Sequence, residues 1–403
     1  MDLRYIYDVD GNIVTCFDGA DSYTYDFANR LKSWTYQGNT VQYDYDASGN
    51  LKNPHGKTLT FNAANEIEGF TYDDTGNLLK DDRYQYTWDG EGRLLSVKDV
   101  NGNEVASFTY RPDGLRETKT VNGVTYHYHY DGTNLIRITN DNRQTVWAFT
   151  WASGKPNTVT NQNGNTFYYV TNYRGDVVRM VDENGATVAN YSYDPWGKVL
   201  SVSENAAVAG QPLGYAGYYY DRETKLYYLQ ARYYDPETAR FISRDRDPGD
   251  KDNPVTQNAY TYADDNPVML VDPDGKFAIS IDRIKYALKY GLKGWLASYF
   301  DWATADKIVA GSVAIADKIY KIATEIAKGY KAGKAINTVF REALNKILIG
   351  RGYKNQILNI VKKQARKIGT KVVLRRITTL SFWWTDLALF TGYTIVSYNK
   401  YRK

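Results

Sequence analysis

The sequence predicts a multidomain chain, an antiparallel all-β segment followed by an all-α C-terminal domain. Three observations lead there. Short aromatic-rich runs of alternating side-chain type fill the first two thirds and are separated by Gly, Asn and Asp, the pattern of half-buried strands joined by tight turns. After residue 275, apolar residues recur in steps of three and four, as on one face of a helix. Charge divides at the same place. Residues 276–403 hold 25 Lys and Arg against 7 Asp and Glu, a net of +18, while the remainder holds 25 against 39, a net of −14. Tyrosine divides too, 29 of 38 preceding residue 276, and no proline follows Pro273. So large an asymmetry marks two bodies with different tasks, and the whole-chain charge of +4 conceals it.

The β segment is built from a repeat. An aromatic-Asp pair, two residues, then Gly or Asn with a polar partner recurs as Tyr7-Asp8…Gly11-Asn12, Tyr25-Asp26…Asn29-Arg30, Tyr45-Asp46…Gly49-Asn50 and Tyr72-Asp73…Gly76-Asn77. Further copies stand at Trp88-Asp89…Gly92-Arg93 and Tyr193-Asp194…Gly197-Lys198. Asp, Asn and Gly tolerate positive φ and form hairpin turns. Runs such as Val124-Thr125-Tyr126-His127-Tyr128 supply the strands between. Tyrosine suits a strand whose inner face is partly polar, because the ring packs while the hydroxyl finds a partner. The pattern resembles the YD repeats of RHS proteins, of wall-associated Gram-positive toxins and of teneurins. That resemblance implies a spiralling sheet that closes as a hollow shell, with residues 1–200 as the shell segment. The repeats here are too few to close one alone.

Residues 201–275 resemble the RHS repeat-associated core, a plug for the shell. The resemblance is carried by Leu229-Gln230-Ala231-Arg232-Tyr233-Tyr234-Asp235-Pro236, by Glu237-Thr238-Ala239-Arg240-Phe241-Ile242-Ser243, by Asn258-Ala259-Tyr260-Thr261-Tyr262, and by Asn266-Pro267 and Asp272-Pro273-Asp274-Gly275. In some members this core cuts its own chain just past the last glycine. Carried over by position, the catalytic set is Asp245, Asp272 and Arg232, with cleavage after Gly275 or Lys276. Two carboxylates sharing a proton can act as acid and base, and an arginine can hold a carboxylate. The alternative is structural: Asp272-Pro273-Asp274-Gly275 is also a good turn sequence that Arg232 could brace. Two positions depart from the family, Ala239 where glycine is usual and Lys276 where cleaving members carry leucine.

The resemblance also implies that residues 276–403 are a variable effector for interbacterial competition. Its apolar runs include Ile281, Ile284, Leu288, Leu292 and Trp295, with Lys285, Lys289 and Lys293 on another face. The last run, Leu380–Tyr398, contains Trp383-Trp384 and Asp386. All three histidines (His55, His127, His129) and the single cysteine, Cys16, precede this segment. Zinc deaminase, HNH, His-dependent ribonuclease and Cys or Ser-His chemistry are therefore excluded from it. Glu325 and Glu342 are ordinary helix-surface candidates. Two readings stay open, with membrane permeabilisation preferred and a His-independent nuclease or nucleic-acid-binding toxin as the alternative. Basic amphipathic helices with aromatic edges bind anionic bilayers, which makes Trp383, Trp384, Lys285, Lys289 and Lys293 membrane-binding candidates. A net of +18 is also an adequate footprint for a nucleic-acid target.

One cysteine leaves no internal disulfide and no cysteine-based zinc site, and no cofactor or metal is expected. The chain shows no charged-then-apolar leader, so an export signal or delivery partner is expected on a longer parent chain. The expected partners are a cognate immunity protein, a target-cell membrane or nucleic acid, and carbohydrate or cell-surface groups touched by the repeats. A displaced toxin-tip fragment is the alternative for the whole chain.

Overall fold

The computed structural model describes residues 5–9, 11–16, 20–152, 154–246 and 254–276. Among these, three antiparallel sheets carry the fold, with strands neighbouring one another in chain order. The first sheet has five strands, from Tyr5–Tyr7 to Asn39–Gln42. Isolated bridges at Tyr45–Leu51 and Phe61–Ile67 carry the ribbon onward. The second sheet has fourteen strands, from Thr71–Tyr72 to Val199–Glu204. The third is a small sheet of four strands, Tyr219–Asp221, Leu226–Tyr228, Tyr233–Asp235 and Arg240–Phe241.

Each repeat residue has a local job. In the turn at Asp46, the Oδ1 atom accepts the amides of Ser48 and Asn50 at 2.9 and 2.8 Å. Gly49 takes φ +81° and donates its amide to the Asp46 carbonyl at 3.2 Å. The Asn50 side chain returns to Asp46 Oδ2 at 2.8 Å. At Asp89 the same return bond comes from Arg93 Nε at 2.6 Å, which is why the last turn position accepts either residue type. The aromatic residue before the first turn residue stands at a register shift, as at Thr24/Tyr25 before Asp26, Thr87/Trp88 before Asp89 and Thr109/Tyr110 before Arg111. Such bulges bend a strand and re-aim its side chain. The re-aimed group donates to the backbone carbonyl just past the preceding turn. Tyr25 reaches Ile13, Tyr45 reaches Leu31, Trp88 reaches Leu78 and Tyr110 reaches Leu94, all at 2.6–2.7 Å. Tyrosine or tryptophan serves because each ends in a single donor.

The two faces of the long sheet differ. Threonines stand directly opposite one another on the outside and share hydrogen bonds, as at Thr109–Thr118 and Thr150–Thr158, both 2.7 Å. The inside buries Leu94, Val97, Ala106, Phe108, Phe149, Val159, Met180 and Ala189. Against it pack the tyrosines of the small sheet. Tyr215, Tyr227, Tyr234 and Tyr262 are fully buried with Trp196 in a second cluster, and the Tyr234 and Tyr262 ring centroids lie 4.2 Å apart.

The expected fold class needs correction. Among the described residues the chain is all-β and antiparallel, and its only helical pieces are 3-10 turns of three or four residues. The all-α C-terminal domain finds no support. A three-and-four periodicity is compatible with a helix, but helices owe most of their stability to a partner surface, which periodicity does not supply. Of the 276–403 span expected for that domain, all but Lys276 lies outside the described residues. Chain contacts divide the protein into Met1–Ile279 and Ser280–Lys403.

Candidate functional site

Arg232 lies in the tight connection between strands Leu226–Tyr228 and Tyr233–Asp235, where Gln230 takes φ +67° and the Leu229 amide donates to the Arg232 carbonyl at 3.0 Å. The turn points its side chain inward, stacked on Phe241 with the guanidinium carbon 3.6 Å from the ring centroid. Every edge of the guanidinium is used. Nη2 meets Asp245 Oδ2 at 2.8 Å and Asp272 Oδ2 at 3.3 Å. Nη1 donates to the Ala259 carbonyl at 3.1 Å and Nε to the Gly275 carbonyl at 2.5 Å.

The two carboxylates differ in setting. The Asp272 side chain is 2% exposed, whereas that of Asp245 is 20% exposed and open to water. The Asp272 amide donates to the Tyr218 hydroxyl at 2.8 Å, and that hydroxyl lies 3.1 Å from the hydroxyl of Tyr262. Asp272 Oδ1 accepts the amide of Lys276 at 3.0 Å. The Gly275–Lys276 peptide is thus held at both ends, its carbonyl by Arg232 and its amide by Asp272. Gly275 has φ +69°, and a Cβ there would stand 2.8 Å from the Leu229 carbonyl oxygen and 2.9 Å from the Arg232 nitrogen. Only glycine brings the peptide this close.

The loop that presents these groups is fixed by the repeats. Asn266 donates to the Asn29 carbonyl at 2.7 Å, Asn258 to that of Ser48 at 3.1 Å, Arg240 to that of Asn65 at 2.5 Å and Tyr260 to that of Gly76 at 2.8 Å. Arg246 donates to Glu91. One core donor therefore meets each of five repeat turns. Ala239, the residue that stands where glycine is usual, has φ +58°, a conformation glycine adopts without strain.

Arg232, Asp245 and Asp272 are brought together, although 40 residues separate the outer pair. Phe241 could be suspected from its place beside Arg240. Tyr218 and Ala259 could not, since one contributes a hydroxyl and the other a backbone carbonyl across folded distance. The membrane candidates Trp383, Trp384, Lys285, Lys289 and Lys293 lie outside the described residues. Among the described residues no cluster of His, Cys, Asp and Glu could hold a metal ion, and no helix is long and apolar enough to cross a membrane.

The teneurin YD-shell family model matches residues 1–268. The chain is 34% identical over 332 residues to the tRNA3(Ser)-specific nuclease WapA of Bacillus spizizenii, covering 77% of this chain and 14% of that protein. It is 29% identical over 326 residues to the double-stranded DNA deaminase toxin A of Burkholderia cenocepacia, covering 68% and 22% respectively. The chain therefore spans only a small part of these relatives' length. The crystal structure of TcdB2-TccC3-Cdc42 shares the fold, with a TM-score of 0.56 at 22% identity over 68% of this chain and 17% of that one. Repeat turns, bulged aromatics and a tyrosine-lined core accord with these matches, and the chain belongs to the teneurin YD-shell family and is an RHS/YD-repeat protein.

Proposed function

We propose that the chain is the core-bearing end of a polymorphic-toxin shell, and that its core cuts the Gly275–Lys276 bond to free the following residues as an effector. The carrying observation is the grip on that peptide. Arg232 Nε donates to the Gly275 carbonyl oxygen at 2.5 Å, where negative charge develops when water adds to the carbon, and a donor there acts as an oxyanion hole. Asp245, the more exposed carboxylate on the same guanidinium, would take the proton from that water. Asp272, whose Oδ1 accepts the Lys276 amide at 3.0 Å, would enter the reaction carrying the one proton the two carboxyls share and donate it to the leaving nitrogen, while Asp245 gains the proton of the water. Mass spectrometry of the purified chain tests this. Fragments ending at Gly275 and beginning at Lys276 are expected, and Asp245→Asn and Asp272→Asn should each leave the chain intact. An intact wild-type chain would leave the three residues a bracing role only.

For the effector, a nuclease is favoured over a membrane-permeabilising domain. The stretch matched by the WapA tRNA nuclease is 77% of the chain, more than the part ending at Lys276, so the likeness continues past the cut. The net charge of +18 on residues 276–403 suits a polyanionic substrate. Incubating the protein with total tRNA and, separately, with dye-loaded anionic vesicles distinguishes the two. Cleaved tRNA with sealed vesicles supports the nuclease, and released dye with intact tRNA restores the membrane reading. A secreted or delivered protein with a cognate immunity partner follows from either.

A further inference from the structure

His55 lies outside the cleavage site and ties three parts of the shell together. Its Nδ1 meets the carboxylate of Asp194, in the last repeat turn, at 3.1 Å. Its Nε2 meets the backbone carbonyl of Pro236, in the core, at 2.7 Å. Both partners are acceptors only, since a carbonyl has no proton and a carboxylate none when ionised. Both ring nitrogens must therefore donate, which only the imidazolium can do. The side chains of His55 and Asp194 are 12% and 3% exposed, so water replaces neither bond readily.

The neighbourhood is built for this contact. His55 takes φ +50° within the Pro54–Gly56 turn, a left-handed conformation that persists only where surrounding contacts hold it. The turn it reaches is gripped from the other side. Tyr215, Tyr234 and Tyr227 donate to the carbonyls of Pro195, Trp196 and Gly197 at 2.7, 2.7 and 2.8 Å. The charged and titratable groups that face the imidazole are Asp194 and Lys198 from that turn and Glu237 from the core, Lys198 and Glu237 being paired at 3.0 Å. Tyr43, just past the last strand of the first sheet, faces Asp194.

We propose that His55 is a proton-dependent clasp, stapling the last repeat turn and the core to the first repeats when protonated and releasing one of them when neutral. Burial by itself would depress the imidazolium, but the Asp194 carboxylate and the Pro236 carbonyl outweigh it and the pKa is raised above 6.5. The sign follows. A raised folded pKa gives stability that is complete below the unfolded value and is lost as pH rises through the folded one. The clasp is thus complete below the unfolded imidazole value and is lost as pH rises through the raised folded one. Loss of the proton leaves one donor for two acceptors.

The test uses the full chain. Proton-detected titration of the imidazoles identifies the His55 signal by its absence from His55→Gln and reads its midpoint. Hydrogen exchange, corrected for its intrinsic pH dependence, reads protection at residues 194–198 and 235–238 from about pH 6 to about pH 9. A midpoint above 6.5 and a loss of protection with rising pH in wild type, but not in His55→Gln, are expected. Asp194→Asn should lower the midpoint. A wild-type midpoint at or below 6.5 would overturn the proposal without any variant. So would the same pH-dependent loss in His55→Gln.

Discussion

Replacing Asp221 by asparagine should be the most damaging single-atom change in the shell. The Asp221 carboxylate meets Arg116 Nη1 at 2.6 Å and Lys119 Nζ at 2.9 Å, and the side chains of Asp221 and Arg116 are 0% exposed. Arg116 is also ringed by Tyr228, Tyr219 and Tyr128, with centroids at 4.4, 4.5 and 4.6 Å. Burial pushes the Asp221 carboxyl up, but Arg116 and then Lys119 outweigh it and hold the pKa below the usual carboxylate value. Lys119 keeps Glu223 at 2.6 Å after the substitution, whereas Arg116 is left buried without a counter-charge. Removing one partner of a buried pair costs about 3–5 kcal/mol. Asp235 is the control. It too is buried, yet burial there prevails over Arg83 and its pKa is raised. Arg83 is 22% exposed and retains Asp81 at 3.3 Å, so Asp235→Asn should cost about 1 kcal/mol, one hydrogen bond's worth. The pH dependences have opposite sign. Asp221 stabilises above its unfolded pKa and stops as pH falls through its lower folded value; Asp235 stabilises below its unfolded pKa and stops as pH rises through its higher one. Urea unfolding followed by tryptophan fluorescence, at neutral pH and into acid, measures both. Asp221→Asn costing no more than Asp235→Asn would refute the argument that Arg116 depends on that carboxylate.

Four further substitutions have outcomes set by local geometry. Gly197→Ala should cost about 2–4 kcal/mol, because positive φ and overpacking combine: φ is +86° and the new Cβ would stand 2.7 Å from the Tyr215 ring. Gly38→Ala, at φ +79° with nothing within 4 Å, should cost about 1–2 kcal/mol by backbone strain alone, and thermal melts compare the two. Tyr218→Phe removes the acceptor for the buried Asp272 amide and should cost about 1–3 kcal/mol, read by the same unfolding curves. Gly275→Ala would press a methyl into the Leu229 and Arg232 backbone, and should abolish any self-cleavage seen by mass spectrometry while leaving the distant repeat turns protected in hydrogen exchange.

What the sequence by itself determined is what forms within a few residues. The Asp-x-x-Gly turns close over four residues, through bonds such as Asp73 Oδ1 to the Asn77 amide at 2.8 Å, so their spacing announces them. Strand alternation follows from the same scale, because successive side chains point to opposite faces. The carry-over of Arg232, Asp245 and Asp272 rested on ordered motifs rather than on such spacing. Tertiary structure decided the rest. It stacked Arg232 on Phe241, gave Asp272 the hydroxyl of Tyr218 and placed the Gly275–Lys276 peptide between guanidinium and carboxylate. It also joined Arg116 to Asp221 across 105 residues and His55 to Pro236 across 181. The expected helical domain rested on a periodicity that names a face but not the surface that covers it, and helix stability comes mainly from that surface; it lies outside the described residues. Short-range hydrogen bonds leave a mark in residue order, whereas a buried charge finds its partner only once distant strands have been packed together.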